Sequence, residues 1–463
     1  MPRQNAINRA DIYFESGAFR DDLARRIAIR TESQNNVQSN AIETYLDREL
    51  TTTLESLGFK CSRLESPTKE NSFLFAERIE NERFPTIFLY LHGDVVAGMD
   101  EAWEDGLSPW QLHEKNNRYY GRGTADNKGQ HSINLAALRC VLEERGGKLN
   151  FNVKILAEMG EEIGSPGLHN LCKKYRDLLA SDFLLASDGP RLQLERPTIF
   201  LGCRGTATME LSIHARDSAH HSGNWGGLLA NPAIQLAQAL ATITTSSGEI
   251  KIPEWRPSLP SSVRDALEKC GFVPAYTDAD WGEPGLTPAE KLFGWCSFEI
   301  LAMTAGNPAN PVGAIPPDAS ATVQLRFVVG VEPDDIAPAL RRHFDEHGFG
   351  MVAISAKDNI FLASRVDPDH PLVEWAAASL KKTTSKDTAI LPNIGASLPN
   401  DAFSDILGLP TIWVPHSYPG CSQHAPNEHL PLNLVQEALQ IMSGLYWDIG
   451  EDPETVKTLS RSS

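Results

Sequence analysis

Residues Tyr120 to Gln130 read Y-G-R-G-T-A-D-N-K-G-Q, with three glycines around a single acid, Asp126. Glycine lets the backbone turn tightly or approach a ligand closely. The amphipathic run Ile133 to Leu142 follows and predicts a helix, which would hold Asp126 on a rigid turn at a sheet edge. An ordinary strand-to-helix turn with a solvated acid has the same pattern, so the remaining acids and histidines decide what the stretch does.

The composition of the chain limits its class. With 463 residues, 41% of them hydrophobic and 22% charged, we expect a soluble globular protein of two domains. Lys+Arg 42 against Asp+Glu 60 gives a net charge of −18, which argues against nucleic acid or an anionic membrane as a partner. No apolar run approaches the roughly 18–20 residues that span a bilayer.

The seven cysteines are scattered and form no C-x-x-C pair, which indicates reduced thiols. The first residues, M-P-R-Q-N-A-I-N-R-A-D, lack the apolar centre of a signal peptide. Together these features predict a cytoplasmic protein.

Three continuous apolar runs predict buried strands: Thr86 to Leu91, Phe151 to Ala157 and Phe183 to Ala186. Helical patterns at 131–145 and 166–180 separate them. This alternation predicts an α/β fold with a mostly parallel sheet and helices on both sides.

The pattern changes near residue 200. Thr206 to Ile213 and Ala321 to Val329 alternate apolar and polar residues, as strands with one wet face do. We therefore predict a compact α+β domain inserted at 200–361 into a first domain formed by 1–199 and 362–463.

Other regions have weaker signals. Helical spacing occurs at 19–32 and 41–57, and the Pro/Gly-rich region from 244 to 317 predicts mainly loops. The last ten residues are expected to fray.

Five short motifs carry candidate metal ligands or bases, and each is expected where a strand of the sheet ends. They are L-H-G-D with His92 and Asp94, the Asp126 stretch, E-M-G-E-E-I-G with Glu161 and Glu162, S-D-G with Asp188, and Q-H-A-P-N-E-H with His424. Because positions i and i+2 of a strand share a face, Asp94 can accept the second ring proton of His92. Each motif alone also fits a polar strand end or a solvated helix start.

The candidate ligands are histidines and carboxylates without a set of thiolates. This donor set favours Zn²⁺, with Mn²⁺ or Co²⁺ possible. The number of ligands fits two metals about 3.5–4 Å apart that share one carboxylate. Adjacent Glu161 and Glu162 repel each other unless a cation is near, so one would be a ligand and the other a base.

The motifs H-G-D, G-R-G-T-A-D-N-K-G, G-E-E-I-G-S, S-D, H-S-G-N-W-G-G and H-A-P-N-E occur in this order over roughly residues 86 to 430. In order and spacing they resemble the di-zinc peptidase family of carnosinase and related dipeptidases, aminoacylase, glutamate carboxypeptidase, acetylornithine deacetylase and succinyl-diaminopimelate desuccinylase. The resemblance implies a catalytic α/β domain with two zinc ions and an inserted lid domain that forms a homodimer.

The resemblance also implies roles for the motif residues. His92, Asp126 and Asp188 would bind one metal, and Asp126, Glu162 and His424 the other. Asp94 would orient His92, and Glu161 would be the general base that takes a proton from the water between the metals. The peptide bond from Asp126 to Asn127 is expected to be cis.

The inserted domain would supply the remaining site residues. By resemblance, His221 of H-S-G-N-W-G-G would reach the partner subunit's active site and stabilise the oxyanion. Arg326 would bind the substrate carboxylate, although an ordinary sheet arginine has the same pattern. Gly395 and Ser397 resemble a Gly-Gly-Ser substrate loop, in which Ala396 replaces the middle glycine.

The function implied is hydrolysis of dipeptides or short peptides with a free C-terminal carboxylate. Deacylation of N-acyl amino acids, which uses the same machinery, is the alternative. A catalytically silent metal-binding protein is a remote alternative, because the set includes the base Glu161.

Overall fold

The computed structural model describes residues 2–34, 39–356 and 361–462. The chain divides into two compact units. The first contains the described residues within 1–202, 366–391 and 399–463, and the second those within 203–365 and 392–398.

The elements are labelled in chain order. Up to residue 203 the helices are α1 Pro2–Glu15, α2 Ala18–Ile27, α3 Ser39–Thr44, α4 Thr51–Ser56, α5 Lys128–Glu144, α6 Leu168–Lys174 and α7 Arg176–Leu179, and a π-helical turn, Tyr45–Leu50, joins α3 to α4. The strands are β1 Lys60–Leu64, β2 Phe73–Arg78, β3 Thr86–His92, β4 His113–Lys115, β5 Arg118–Tyr120, β6 Asn152–Glu158, β7 Phe183–Ala186, β8 Thr198–Phe200 and β9 Gly202–Cys203.

The middle of the chain forms β10 Gly205–His214, β11 His220–His221, α8 Ser222–Trp225, α9 Pro232–Ile243, α10 Ser261–Cys270, β12 Ser297–Thr304, β13 Ala314–Ile315, β14 Asp318–Phe327, α11 Ile336–Glu346, β15 Ala353–Ala356 and β16 Ser364–Arg365. The last part forms α12 Pro371–Thr384, β17 Ala389–Leu391, β18 Thr411–Trp413, β19 His429–Pro431, α13 Leu432–Glu451 and α14 Pro453–Ser460.

The first unit is built on an eight-stranded sheet of order β1-β2-β6-β3-β7-β18-β8-β17 within the described residues. The central strands β6, β3, β7 and β18 run parallel. In β3 every residue from Ile87 to His92 is buried, because the sheet is covered on both faces. The predicted mostly parallel α/β sheet is therefore confirmed.

The second unit contains an antiparallel sheet of order β12-β14-β10-β15. Burial alternates along β14, so one face of this sheet packs on a core that includes Leu240 of α9 and Leu340 of α11. The predicted α+β fold with a one-sided sheet matches this arrangement. As a separate finding, no helix among the described residues has both the length and the apolarity to cross a membrane.

Several local predictions are wrong. The last residues form α14, whose first turn is capped by the Asp452 side chain, rather than a frayed end. The predicted helix at 166–180 is two helices, α6 and α7. The region predicted as loops contains α10 and strand β12, which was missed because its last six residues are exposed and show no alternation.

Candidate active site

His92 ends strand β3 and is fully buried. Its Nε2 lies 3.1 Å from Asp126 Oδ1 and 3.4 Å from Asp188 Oδ2. Its Nδ1 lies 3.1 Å from the Asp94 backbone carbonyl and 3.4 Å from the Asp94 carboxylate. With the Nδ1 proton held by these acceptors, the lone pair of Nε2 is free to bind a cation between the carboxylates.

Asp94 has a second task that the sequence did not indicate. Its carboxylate accepts hydrogen bonds from the backbone N–H groups of Glu161, at 3.2 Å, and Glu162, at 3.1 Å. Asp94 therefore ties the turn after β3 to the turn after β6. The two acids that follow β6 are positioned by the same residue that faces the His92 ring.

Asp126 lies on the turn between β5 and α5. Gly129 allows this turn to close, because a Cβ atom there would lie 1.8 Å from the Thr124 carbonyl oxygen. The Asp126–Asn127 peptide bond is cis, as the resemblance implies. The Asp126 carboxylate faces two histidines, with Oδ1 3.1 Å from His92 Nε2 and Oδ2 3.1 Å from His424 Nε2.

Glu428 holds the whole turn in place and was given no role from the sequence. One oxygen of its buried carboxylate accepts from Arg122 Nη1 at 2.7 Å and from the Gly123 N–H at 3.0 Å. The other accepts from the N–H groups of Ala125 and Asp126, at 2.8 and 3.0 Å. Asp126 is thus anchored by its own backbone to a residue 302 positions later in the chain.

Glu162 and His424 complete a second group of side chains around Asp126. Glu162 Oε2 lies 3.1 Å from His424 Nε2. His424 has a φ of 57°, a left-handed conformation that residues with a Cβ seldom adopt and that occurs disproportionately at functional sites.

The two groups share one carboxylate. In each of them the potential ligand atoms all lie within 4.8 Å of one another. The groups are His92, Asp126 and Asp188, and Asp126, Glu162 and His424.

Hydrogen bonds with the histidines stabilise the charged carboxylates of the cluster. Burial raises the pKa of Glu162 to about 7, and the charge of Asp126 adds to this rise. Hydrogen bonds to Asp126 and Glu162 raise the pKa of His424 to about 11. Burial opposes ionisation of Asp126, but hydrogen bonds with His424 and His92 outweigh it and lower its pKa below the ordinary value. A divalent cation could take the place of these protons.

Two buried oxygens are suited to such a cation. Asp188 Oδ2 and Glu162 Oε1 have no hydrogen-bond partner among the described residues. Buried carboxylate oxygens are otherwise almost always satisfied, so these atoms fit metal ligands. The donor set of imidazole nitrogens and carboxylate oxygens fits zinc, manganese or cobalt.

Glu161 lies beside both groups without belonging to either. Burial raises its pKa well above the ordinary value of a glutamate, and the neighbouring charges of Asp188 and Glu162 raise it further, although His92 lowers it. A carboxyl group in this position can exchange a proton with a molecule bound at the cluster.

Arg326, Gly395 and Ser397 come together in the second unit. Arg326 Nη1 donates to Ser397 Oγ at 3.0 Å and to Thr206 Oγ1 at 2.8 Å. The carbonyl of Gly395 accepts from Nε and Nη2 of Arg204, at 3.0 and 2.9 Å. The sequence did not single out Arg204.

His221 lies in the same unit on β11, which pairs with β13, and its side chain is exposed. Its Nδ1 accepts a hydrogen bond from the Gly223 N–H at 3.1 Å. A neutral ring that accepts at Nδ1 carries its proton on Nε2. The exposed Nε2–H of His221 is thus available as a donor.

The expectation that all five motifs lie at ends of the sheet's strands is only partly correct. His92 ends β3, and Glu161 and Asp188 follow β6 and β7 of the eight-stranded sheet. Asp126 instead follows β5, which belongs to a separate sheet of order β19-β5-β4, and His424 lies in the connection between β18 and β19. The Glu428 carboxylate, placed just before β19, anchors the Asp126 loop from outside the main sheet.

Most of the chain is similar to known peptidases. Residues 88–448 match the model of peptidase family M20/M25/M40. The chain is 26% identical over 374 residues to the cysteinylglycine-S-conjugate dipeptidase of Corynebacterium striatum, a match that covers 76% of this chain and 77% of that protein. It is 34% identical to the Beta-Ala-His dipeptidase of Homo sapiens over 173 residues, or 36% of this chain and 33% of the human protein.

A solved structure has the same fold. The dipeptidase Dug1p from Saccharomyces cerevisiae superposes with a TM-score of 0.75 at 20% identity, over 98% of this chain and 99% of the yeast chain. The family match spans the candidate metal cluster, Glu161 and the whole second unit. The chain therefore belongs to peptidase family M20/M25/M40, and it is an enzyme of the metallopeptidase class.

Proposed function

We propose that this enzyme is a dipeptidase that hydrolyses dipeptides or short peptides with a free C-terminal carboxylate. The observation that carries the proposal is the pair of ligand groups that share the Asp126 carboxylate. The dipeptidase names of the Corynebacterium striatum and human relatives support the substrate class.

The ligand groups support a centre of two zinc ions, with manganese or cobalt as alternatives. One ion would be held by His92, Asp126 and Asp188, and the other by Asp126, Glu162 and His424. Bound there, the metals would polarise the scissile carbonyl and lower the pKa of a water molecule. Asp94 orients His92 through Nδ1 and holds the Glu161–Glu162 turn by two hydrogen bonds.

Glu161 is the proposed general base. It takes a proton from the attacking water and then gives it to the leaving amine, so one carboxyl group serves both proton transfers. Its position directly before the ligand Glu162 supports this role, because the Asp94 carboxylate fixes the backbone of both residues.

The second unit supplies the groups that bind the substrate. Arg326 pairs with the C-terminal carboxylate, since a guanidinium can donate two parallel hydrogen bonds to a carboxylate. Ser397 and the backbone of Gly395 form the adjacent loop, which Arg326 and Arg204 hold by hydrogen bonds. His221 donates its Nε2 proton to the oxyanion in the active site of the partner subunit.

The proposed homodimer forms through the second unit. Strand β12 is an edge strand of its sheet and exposes Ile300 by 50%, Leu301 by 54% and Met303 by 46%. An exposed apolar edge strand offers backbone hydrogen bonds and apolar contacts to a second copy. The cysteines form no disulfide among the described residues, which supports the expected reducing cytoplasm.

A substrate panel with and without a chelator tests the proposed function. The zinc- or manganese-loaded enzyme is assayed on dipeptides beside N-acetyl and N-succinyl amino acids. We expect dipeptides to be hydrolysed fastest and the chelator to abolish the activity. Faster turnover of the N-acyl amino acids would instead establish a deacylase, and activity that survives complete metal removal would contradict the metal centre.

A further inference from the structure

A cavity of about 510 Å³ lies in the second unit, and the segment that precedes and begins strand β12 forms most of its wall. This volume is in the range of small-molecule sites, roughly 300–1,000 Å³. Its walls are rich in aromatic side chains. These are Phe272, Tyr276, Trp281, Trp295 and Phe298.

The cavity borders the strand that carries Arg326. Ser297 and Glu299, which line the cavity, pair across the sheet with Arg326 and Gln324 respectively. Residues directly opposite each other on antiparallel strands have their side chains on the same face. The cavity therefore reaches the face of the sheet on which Arg326 lies, while Phe298 contributes from the other face of this edge strand.

The cavity also adjoins the Gly395–Ser397 loop. Arg204 lines the cavity and donates both of its hydrogen bonds to the Gly395 carbonyl. Leu292 lines it too, and its Cδ1 would lie 3.4 Å from a Cβ atom on Gly395. A ligand held by Arg326 and this loop would thus have the aromatic cavity beside it.

The lining of the cavity is suited to a large apolar group. Tyr276 is 95% exposed and Trp281 54% exposed, so their rings present apolar surface that a ligand can cover. The indole N–H of Trp295 is buried without an acceptor among the described residues. Three acids, Asp278, Glu283 and Glu299, line the cavity against two cations, Arg204 and Lys291, and this balance disfavours an acidic ligand.

We propose that this cavity binds the side chain of the C-terminal residue of the substrate and selects a bulky aromatic group there. The proposal rests on the proposed dipeptidase function, because Arg326 must hold the carboxylate of that same residue. The α-carbon that carries this carboxylate would lie beside Arg326 and Gly395. Its side chain would then extend into the cavity between Trp281 and Leu292.

The test compares Ala-Trp, Ala-Gly, Ala-Asp and Trp-Ala as substrates. For the wild-type enzyme we expect kcat/KM for Ala-Trp to exceed that for Ala-Gly by about 10-fold or more, a usual size for apolar side-chain selection, with Ala-Asp slowest. In Trp281→Ala this ratio should fall about 10-fold, mainly through KM, while Trp281→Phe should keep most of it. Met351→Ala removes an exposed side chain outside the cavity and should leave the ratio unchanged.

The possible outcomes distinguish a wrong assignment of the cavity from a wrong assignment of the dipeptidase function. Hydrolysis of dipeptides with equal rates for Ala-Trp and Ala-Gly, or a ratio unaltered in Trp281→Ala, would overturn the cavity assignment and leave the dipeptidase function standing. A Trp281→Ala effect confined to Trp-Ala would overturn the assignment to the C-terminal residue. If the metal-loaded wild-type enzyme hydrolyses no dipeptide, the proposed function fails, and the cavity assignment falls with it.

Discussion

The candidate metal cluster of the first unit and the cavity of the second unit are built in opposite ways. His92 and Asp94 are fully buried, and backbone hydrogen bonds fix Asp94 and Asp126. The cavity is open, with rim side chains such as Tyr276 and Trp281 largely exposed. The difference indicates that the reaction depends on buried side chains whose positions are fixed by hydrogen bonds. Substrate selection depends instead on exposed side chains that can be substituted one at a time. Substitution of Glu161 beside the cluster should therefore have a larger effect than any substitution in the second unit.

The largest effect is expected for Glu161→Gln. Removing a general base typically costs about 10²–10⁴-fold, so we expect kcat to fall by about 10³-fold. The amide keeps the size of the side chain, and metal content should stay at the wild-type value. The exposed Glu82→Gln is a matched control and should change neither quantity. An active Glu161→Gln enzyme would disprove the assignment of the base.

His221→Ala should have the next largest effect, with metal content unchanged. Loss of one oxyanion donor costs about 10²–10³-fold in kcat. Mixed dimers with Asp126→Ala subunits should regain part of the activity, because an intact His221 and an intact metal cluster then meet across the interface. The neighbouring His220→Ala is the control. Mixed dimers without any regained activity would show that His221 does not act across subunits.

Glu428→Gln tests whether the residue that anchors the Asp126 loop contributes to metal binding as well as the ligands themselves. The variant weakens the anchor of the Asp126 loop, so we expect metal affinity to fall by about 10–100-fold, as for other residues that position ligands. It also leaves buried Arg122 without its charged partner, so we expect the free energy of unfolding of the metal-free protein to decrease by about 3–5 kcal/mol.

A metal titration of Glu428→Gln at a temperature where the variant is folded separates the two effects. Unchanged metal affinity in the folded variant would mean that Glu428 supports the fold but does not position Asp126. Excess metal should restore part of the activity if Glu428 positions the ligand Asp126.

The smallest effect is expected for Arg326→Lys. Lysine keeps the charge but cannot form two parallel hydrogen bonds, so KM for dipeptides should rise about 10-fold while kcat changes little. The ratio of Ala-Trp to Ala-Gly should be kept, since the cavity is intact. A fall in kcat without a change in KM would place Arg326 in the reaction itself rather than in binding.

The sequence predicts the elements of the first unit best where burial is continuous. Strand β7 is apolar throughout, β3 is apolar between its Thr86 and His92 ends, and both were predicted nearly to their ends. Strand β12 was missed because six of its eight residues are exposed, so the usual alternation is lost. Helix α1 was missed as well, because its Pro2–Glu15 sequence carries little amphipathic pattern.

The candidate ligands were accessible from the sequence because each lies in a short motif of distinctive chemistry. The hydrogen bonds that position these ligands could not be predicted from the sequence. Glu428 meets the Asp126 loop across about 300 residues of chain, and Asp94 meets the Glu161 N–H across 67. Such contacts follow from the tertiary structure and leave no local pattern. Arg204 was overlooked for the same reason, since its partner Gly395 lies 191 residues away.

The zinc content of the purified enzyme shows whether two metal ions share the Asp126 carboxylate. The wild-type protein, loaded with zinc and dialysed, is compared with Asp126→Ala by elemental analysis. We expect two zinc ions per wild-type chain and fewer than one in Asp126→Ala, because both ligand groups lose the same carboxylate. A single ion in the wild-type protein, or two ions retained by Asp126→Ala, would contradict this expectation.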